Sequence, residues 1–267
     1  MIVALALLAQ VYTPSTRVVL VPINHPVRAL AQLHRLWDPS TGRQVAVIPF
    51  ALAVNFSVQR RRDSVTFRVG LTGAQRTRTS PDSAAARTVV LYTEAARQTG
   101  ALSHPISDHP ERWTVKVSRE SPPWKERFEF AVVPLVEGAF AISDLVVGAA
   151  GQGTPWPLGR DTVALAPRQI VFTTGSIQVS YQLRSERARS GLQTIFVFTR
   201  VIDDADLADR STTIRFKDAS VPKGISLQQR DIAAAQLSGS RYRLDVSIAT
   251  EDGTLLASRS GMLELVR

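Results

Sequence analysis

From about residue 45 to the end of the chain, apolar side chains recur at every second position, and no other feature restricts the fold as much. Successive side chains on a β-strand point to opposite faces, so a period of two marks strands with one face in a core and one in water. Leu52, Val54, Phe56 and Val58 alternate with Ala53, Asn55 and Ser57, and Val65, Phe67, Val69 and Leu71 alternate with Thr66, Arg68 and Gly70. Residues 88–93, 112–118, 127–135 and 139–147 meet the same criterion. Six such runs separated by turn-rich stretches predict an antiparallel sandwich. The polar stretch 72–87 has neither period and is expected to be a long loop.

Residues 148–167 hold four glycines and three prolines, a density of chain-breaking residues that places a linker there. Beyond it the alternation is cleaner. Ile177, Val179, Tyr181 and Leu183 face one way, with Gln178, Ser180, Gln182 and Arg184 opposite. Residues 192–202 are apolar on both faces in their middle, as a central strand would be, and Ile214 and Phe216 form a shorter run. Tyr242, Leu244, Val246 and Ile248 precede Glu251-Asp252-Gly253, and Asp-Gly between two strands signals a tight hairpin. With 170–173, 225–228 and 261–266, about seven strands fall in the last hundred residues, the number in an immunoglobulin-like or fibronectin-like sandwich. Tyr242, just after Leu237-Ser-Gly-Ser-Arg, fits a tyrosine corner, whose hydroxyl bonds back to the chain upstream.

The N-terminal part differs. Residues 26–37 place Val27, Leu30, Leu33 and Leu36 at intervals of three, start with a proline and stop at Asp38-Pro39, which predicts a short helix. Met1 to Ala9 is a continuous apolar run, too short to span a bilayer and suited to the hydrophobic part of a truncated secretory signal. The expected layout is therefore an N-terminal segment over 1–40, a β-sandwich over 41–147, a linker over 148–167 and an immunoglobulin/fibronectin-like sandwich over 168–267. In class the protein is all-β, with no transmembrane segment.

Composition narrows the chemistry. The chain has 267 residues and no cysteine, which excludes thiol catalysis, disulfides and thiolate metal sites. Its formal charge of +9 would suit a polyanion, but the arginines are scattered and the one run is Arg60-Arg61-Arg62, so a nucleic-acid partner is not favoured. There is no Gly-x-Ser-x-Gly elbow and no phosphate-binding glycine loop, and Gly151-Gln152-Gly153 opens no helix. No catalytic residue and no cofactor is singled out. His104, Asp108 and His109 lie close together, but Pro105 and Pro110 break any helix that would align them, leaving a polar loop. His25 and His34 look incidental. Asp203, Asp204, Asp206 and Asp209 crowd carboxylates into a short loop between strands, the kind of hard-oxygen set that holds Ca²⁺. Trp124 follows Pro122-Pro123 and Trp156 sits between Pro155 and Pro157; exposed, either could stack on a sugar or a protein partner.

Val133-Pro-Leu-Val-Glu-Gly-Ala-Phe-Ala-Ile-Ser-Asp-Leu-Val-Val147 resembles a recurring segment of bacterial GWxTD-domain proteins, in which a strand with an Ile-Ser-Asp-like triplet precedes the last sandwich. Residues 177–184 and 237–249 are also similar to that family's sandwich portion. The Gly-Trp-x-Thr-Asp signature is absent, since none of Trp37, Trp113, Trp124 or Trp156 follows a glycine. The resemblance implies an exported bacterial protein, periplasmic or associated with the cell envelope, and supplies no catalytic residues. The expectation is a non-catalytic binding or structural module whose partner is a protein or an envelope component. The alternatives are a Ca-dependent or carbohydrate-binding module and a hydrolase with spatially assembled carboxylates.

Overall fold

The computed structural model describes residues 29–53, 68–73, 92–94, 97–119, 124–150, 154–158, 160–165, 170–172, 175–202 and 205–266. Apart from one 3-10 turn at Ala234–Gln236, the regular elements among them are strands. In chain order these are β1 (Ala29–Ala31), β2 (His34–Trp37), β3 (Gln44–Ala53), β4 (Arg68–Gly73), β5 (Tyr92–Glu94), β6 (Arg97–Pro105), β7 (Glu111–Arg119), β8 (Trp124–Val132), β9 (Phe140–Ile142) and β10 (Val146–Ala149). They continue with β11 (Thr154–Leu158), β12 (Asp161–Leu165), β13 (Ile170–Phe172), β14 (Ser176–Ser185), β15 (Arg189–Ile202), β16 (Ala205–Val221), β17 (Gly224–Ala233), β18 (Arg241–Thr250) and β19 (Leu255–Val266).

The C-terminal sandwich pairs two sheets. One has the order β10-β14-β17, with β9 also on β14; the other runs β13-β19-β18-β15-β16. This is the strand arrangement of an immunoglobulin-like sandwich. The alternating residues do what the period requires: Ile177, Val179, Tyr181 and Leu183 from one sheet meet Phe196, Phe198, Leu244, Val246 and Ile248 from the other in one buried cluster. Edge-on contacts of Phe196 with Tyr181, Phe198 and Phe216 fill its centre. At the β18–β19 turn, Gly253 takes a φ of 87° and its N–H reaches the carbonyl of Thr250. The left-handed conformation there is one that glycine adopts without steric cost. The Tyr242 hydroxyl accepts a 2.6 Å hydrogen bond from the Gly239 N–H, so the tyrosine corner is formed.

The first strand of this sandwich comes from upstream of the glycine- and proline-rich stretch: β9 and β10 both pair with β14. Within the stretch itself, β11 and β12 form a hairpin, and β13 runs parallel to β19. The hairpin supplies Leu158, Val163 and Leu165 to a second core that also holds Leu36, Val47 and Val146. The remaining strands form one sheet of β1-β3-β6-β5, with β2 on β3, and a three-stranded sheet β4-β7-β8.

The helix expected over 26–37 does not form where the chain is described. Residues 29–31 and 34–37 are strands paired with β3, while 26–28 lie outside the described residues. The leucine spacing of three fits a helix, but every residue of β2 is buried. A segment covered on both faces needs no amphipathic stripe, and sheet pairing satisfies its backbone. Asp38-Pro39 does end the element, as a turn in which the Asp38 carboxylate accepts bonds from Ser40 and Thr41 and Gly42 adopts a φ of 70°.

Candidate functional site

The outer face of β14 is not bathed in water. Ser180 and Gln182 are 2% and 1% exposed, Trp37 at the end of β2 lies on Gln182, and a seam of polar groups joins the two layers. The Gln182 side chain accepts from the Trp37 N–H at 2.7 Å and donates to the Trp37 carbonyl at 2.8 Å. Gln44 treats Leu135 in the same way, accepting from its N–H at 2.6 Å and donating to its carbonyl at 3.0 Å. Each primary amide thus stands in for a neighbouring strand.

At the centre of the seam is the segment between β9 and β10, which contains the Ser143-Asp144 pair. The Asp144 carboxylate receives Arg35 through its backbone N–H and Nε, both at 2.8 Å, and through a terminal guanidinium nitrogen at 2.7 Å. In return the Asp144 N–H donates to the Arg35 carbonyl at 3.0 Å. The other guanidinium nitrogen of Arg35 donates to the Val133 carbonyl at 2.8 Å. Arg259, from β19, approaches Asp144 at 3.8 Å and donates to the Ile142 carbonyl at 3.0 Å. Burial disfavours the charged carboxylate, but the Arg35 fork and the Arg259 charge outweigh it and hold Asp144 below the usual carboxylate range. It remains an anion whose oxygens are already taken.

Ser143 is fully buried; its hydroxyl donates to the Asp144 carbonyl and accepts from the Gln182 N–H, both at 2.9 Å. With both functions engaged it is not placed as a nucleophile. His34 is 2% exposed, and burial pushes its ring down to about 4, against the smaller pull of Asp144 and a hydrogen bond to the Leu145 backbone. At neutral pH the ring is uncharged. The chemistry this arrangement supports is clamping: a desolvated ion pair and the Gln182 amide hold β2 against the sandwich, the Gln44 amide ties β3 to the Leu135 backbone, and Ser143 ties the β9–β10 segment to β14.

A second polar group bridges the sandwich interior. Thr194 donates to Asp218, whose other oxygen takes Arg230 from β17, and the Arg230 guanidinium lies 5.5 Å from the centre of the Phe216 ring. This pair ties the edge strand of one sheet to the edge strand of the other. An inward-pointing charge of this kind also blunts an edge against pairing with another chain.

The residues expected to carry binding are dispersed. Asp203 and Asp204 lie outside the described residues; Asp206 and Asp209 are in β16, not in a loop, with Asp206 opposite Val201 and Asp209 among the three extra residues of a bulge opposite Thr199–Arg200. Strand pairing extends almost to the hairpin tip, so the loop is shorter than the spacing of carboxylates suggests. Among the described residues there is no group of three or more histidine, aspartate or glutamate side chains that could hold a metal. Trp124 begins β8, opposite Arg119. Trp156 is in β11, half-buried, and packs against the core that contains Leu36. His104, Asp108 and His109 are all exposed; His104 meets Trp113 edge-on at 5.2 Å. The seam residues Arg35, Gln44, Gln182 and Arg259 carried no signal beyond a polar residue inside an apolar run. The Ile142-Ser143-Asp144 triplet did stand out in the sequence.

No family model matches the chain, and no curated protein matches it. Among solved structures it is similar to the native conformation of E. coli alpha-2-macroglobulin, determined by single-particle cryo-electron microscopy, with 14% identity and a TM-score of 0.26. That match covers 90% of this chain and 16% of the other.

Proposed function

We propose that the chain is a non-catalytic binding or structural module of an exported bacterial protein, and that its partner is a protein or a component of the cell envelope. The observation that supports this reading is the Arg35–Asp144 pair, which commits two buried ionic groups to holding two β layers together. A desolvated pair of this kind fixes one relative placement of the layers it joins. Such a scaffold presents loops and sheet edges rigidly, which is how β-sandwich modules recognise partners. The Ile142-Ser143-Asp144 triplet, one of the features that carry the resemblance to GWxTD-domain proteins, lies at this joint.

The test is a thermal-shift series with Ca²⁺, EDTA, soluble glycans and heparin, together with fractionation of bacteria expressing the tagged chain from its own gene. The reading expects no stabilisation by Ca²⁺ and no loss with EDTA, and recovery in the envelope fractions. A ligand that binds only the folded state raises the melting temperature. Strong Ca²⁺-dependent stabilisation, or recovery in the cytoplasm alone, would overturn it.

A further inference from the structure

His34 is the buried titratable group that the seam leaves half-satisfied. Its ring is tied to the Leu145 backbone, while its Nε2 is buried with no hydrogen-bond partner among the described residues. A neutral ring tolerates this, because an acceptor left without a donor costs less than a buried N–H left without an acceptor. A protonated ring carries a second N–H with nothing placed to accept it.

The charged groups around it offer no relief. Asp144 is the acid of the segment facing β2, and its oxygens are occupied by Arg35 and approached by Arg259. Arg35 from the same strand and Arg259 from β19 are themselves cations. On β3 the residue opposite is Val47. By contrast, the buried cluster inside the sandwich is made of Ile, Leu, Val, Phe, Ala and Tyr, none of which gains charge in acid.

We propose that protonation of His34 releases β2 and its sheet from the immunoglobulin-like sandwich while the sandwich itself stays folded, so that the seam is an acid-sensitive joint. Opening uncovers Trp37, Leu36 and the seam-facing Ile225 and Leu227 of β17, an apolar surface closed at neutral pH. The direction follows from linkage. The closed state keeps the ring neutral down to about 4, whereas a released ring titrates at its ordinary value of 6.5. The closed state's advantage is therefore complete above 6.5 and is lost as the pH falls towards 4. The joint does not depend on the binding role proposed above.

Hydrogen-exchange mass spectrometry of the full chain between pH 7.5 and 3.5, corrected for the intrinsic pH dependence of exchange, tests it, with binding of an apolar dye as a second readout. Expected is loss of protection in peptides covering 33–37 and 142–147 between pH 6.5 and 4, with protection retained over 192–200 and 242–249. His34→Gln, which keeps a neutral polar group at the position, and His34→Leu are expected to move that midpoint down by about one pH unit or more. Simultaneous loss of protection in all four regions overturns the proposal. So does a wild-type midpoint in both variants, which would assign the transition to Asp144, and so does full protection of the seam down to pH 4.

Discussion

The side-chain amide of Gln182 completes the backbone hydrogen bonding of Trp37, taking its N–H at 2.7 Å and serving its carbonyl at 2.8 Å across 145 residues of sequence. Trp37 lies at the end of β2, with its indole at 0% exposure, so neither backbone group can turn to water. Replacing Gln182 by alanine leaves a buried donor and a buried acceptor unpaired. Each such group costs about 1–3 kcal/mol, and the expected loss is about 2–6 kcal/mol in urea denaturation. Gln182→Glu should be worse, because a carboxylate can accept from the N–H but repels the carbonyl it replaces a bond to. A Gln182→Ala variant as stable as the parent would remove the amide from the account of the seam.

Arg35 and Asp144 should behave as a unit. Removing one partner strands the other as a buried charge, at a cost of about 3–5 kcal/mol. Arg35→Met and Asp144→Leu are each expected to lose that much, while the double variant loses less than the sum of the two, because only Arg259, still bonded to the Ile142 carbonyl, is left without its carboxylate. Equilibrium unfolding of the four proteins closes the cycle. Additive losses would mean that the two side chains act independently despite the two hydrogen bonds that join them.

The architecture was legible wherever one face of a strand stays polar. Tyr242, Leu244, Val246 and Ile248 announced β18, and the Asp-Gly pair announced the β18–β19 turn, because in both cases the local rule and the tertiary environment agree. The reading failed where a strand is covered twice. In residues 32–37 the burial of both faces removes the period of two, and Leu33 and Leu36 fall at a helical interval. The same double burial hid the seam, because Gln182 and Ser180 occupy positions that simple alternation assigns to solvent. Arg35 and Asp144 are 109 residues apart, and nothing local to either predicts the other. The Ile142-Ser143-Asp144 triplet was visible as a pattern, but its role depends on a strand that folds over it from far upstream.

The tyrosine corner makes a separate prediction about close packing. A Cβ at Gly239 would lie 2.9 Å from the Tyr242 hydroxyl oxygen and 3.1 Å from the Arg200 Cδ. The Tyr242 ring is buried and packs edge-on against Phe198 at 6.4 Å, so it has little room to move. Gly239→Ala should therefore cost about 1–3 kcal/mol through overpacking. Tyr242→Phe should cost about 1 kcal/mol through the lost hydrogen bond. Because the phenylalanine removes the nearest clashing atom, the double variant should be more stable than the sum of the two losses implies. Thermal denaturation of the three variants decides it, and strict additivity would count against the contact.

Tyr181 gives the sandwich an alkaline limit. Its hydroxyl meets Thr194 in the core, and burial, reinforced by the charge of Asp218, pushes the phenol up to about 12 from 10.0. The unfolded chain releases this proton near 10, whereas the folded chain holds it until about 12. A raised folded value means that the contribution is fully present below 10 and is lost as the pH climbs through 12. Two pH units correspond to roughly 3 kcal/mol. The stability difference between the parent and Tyr181→Phe, taken from urea unfolding, should be constant from pH 7 to 9.5. It should then swing towards the variant by roughly that amount by pH 12, since phenylalanine has no proton to lose. Subtracting the two curves cancels the titration of lysines and of the other tyrosines. A difference that stays flat to pH 12 would show that the phenol reaches water in the folded protein.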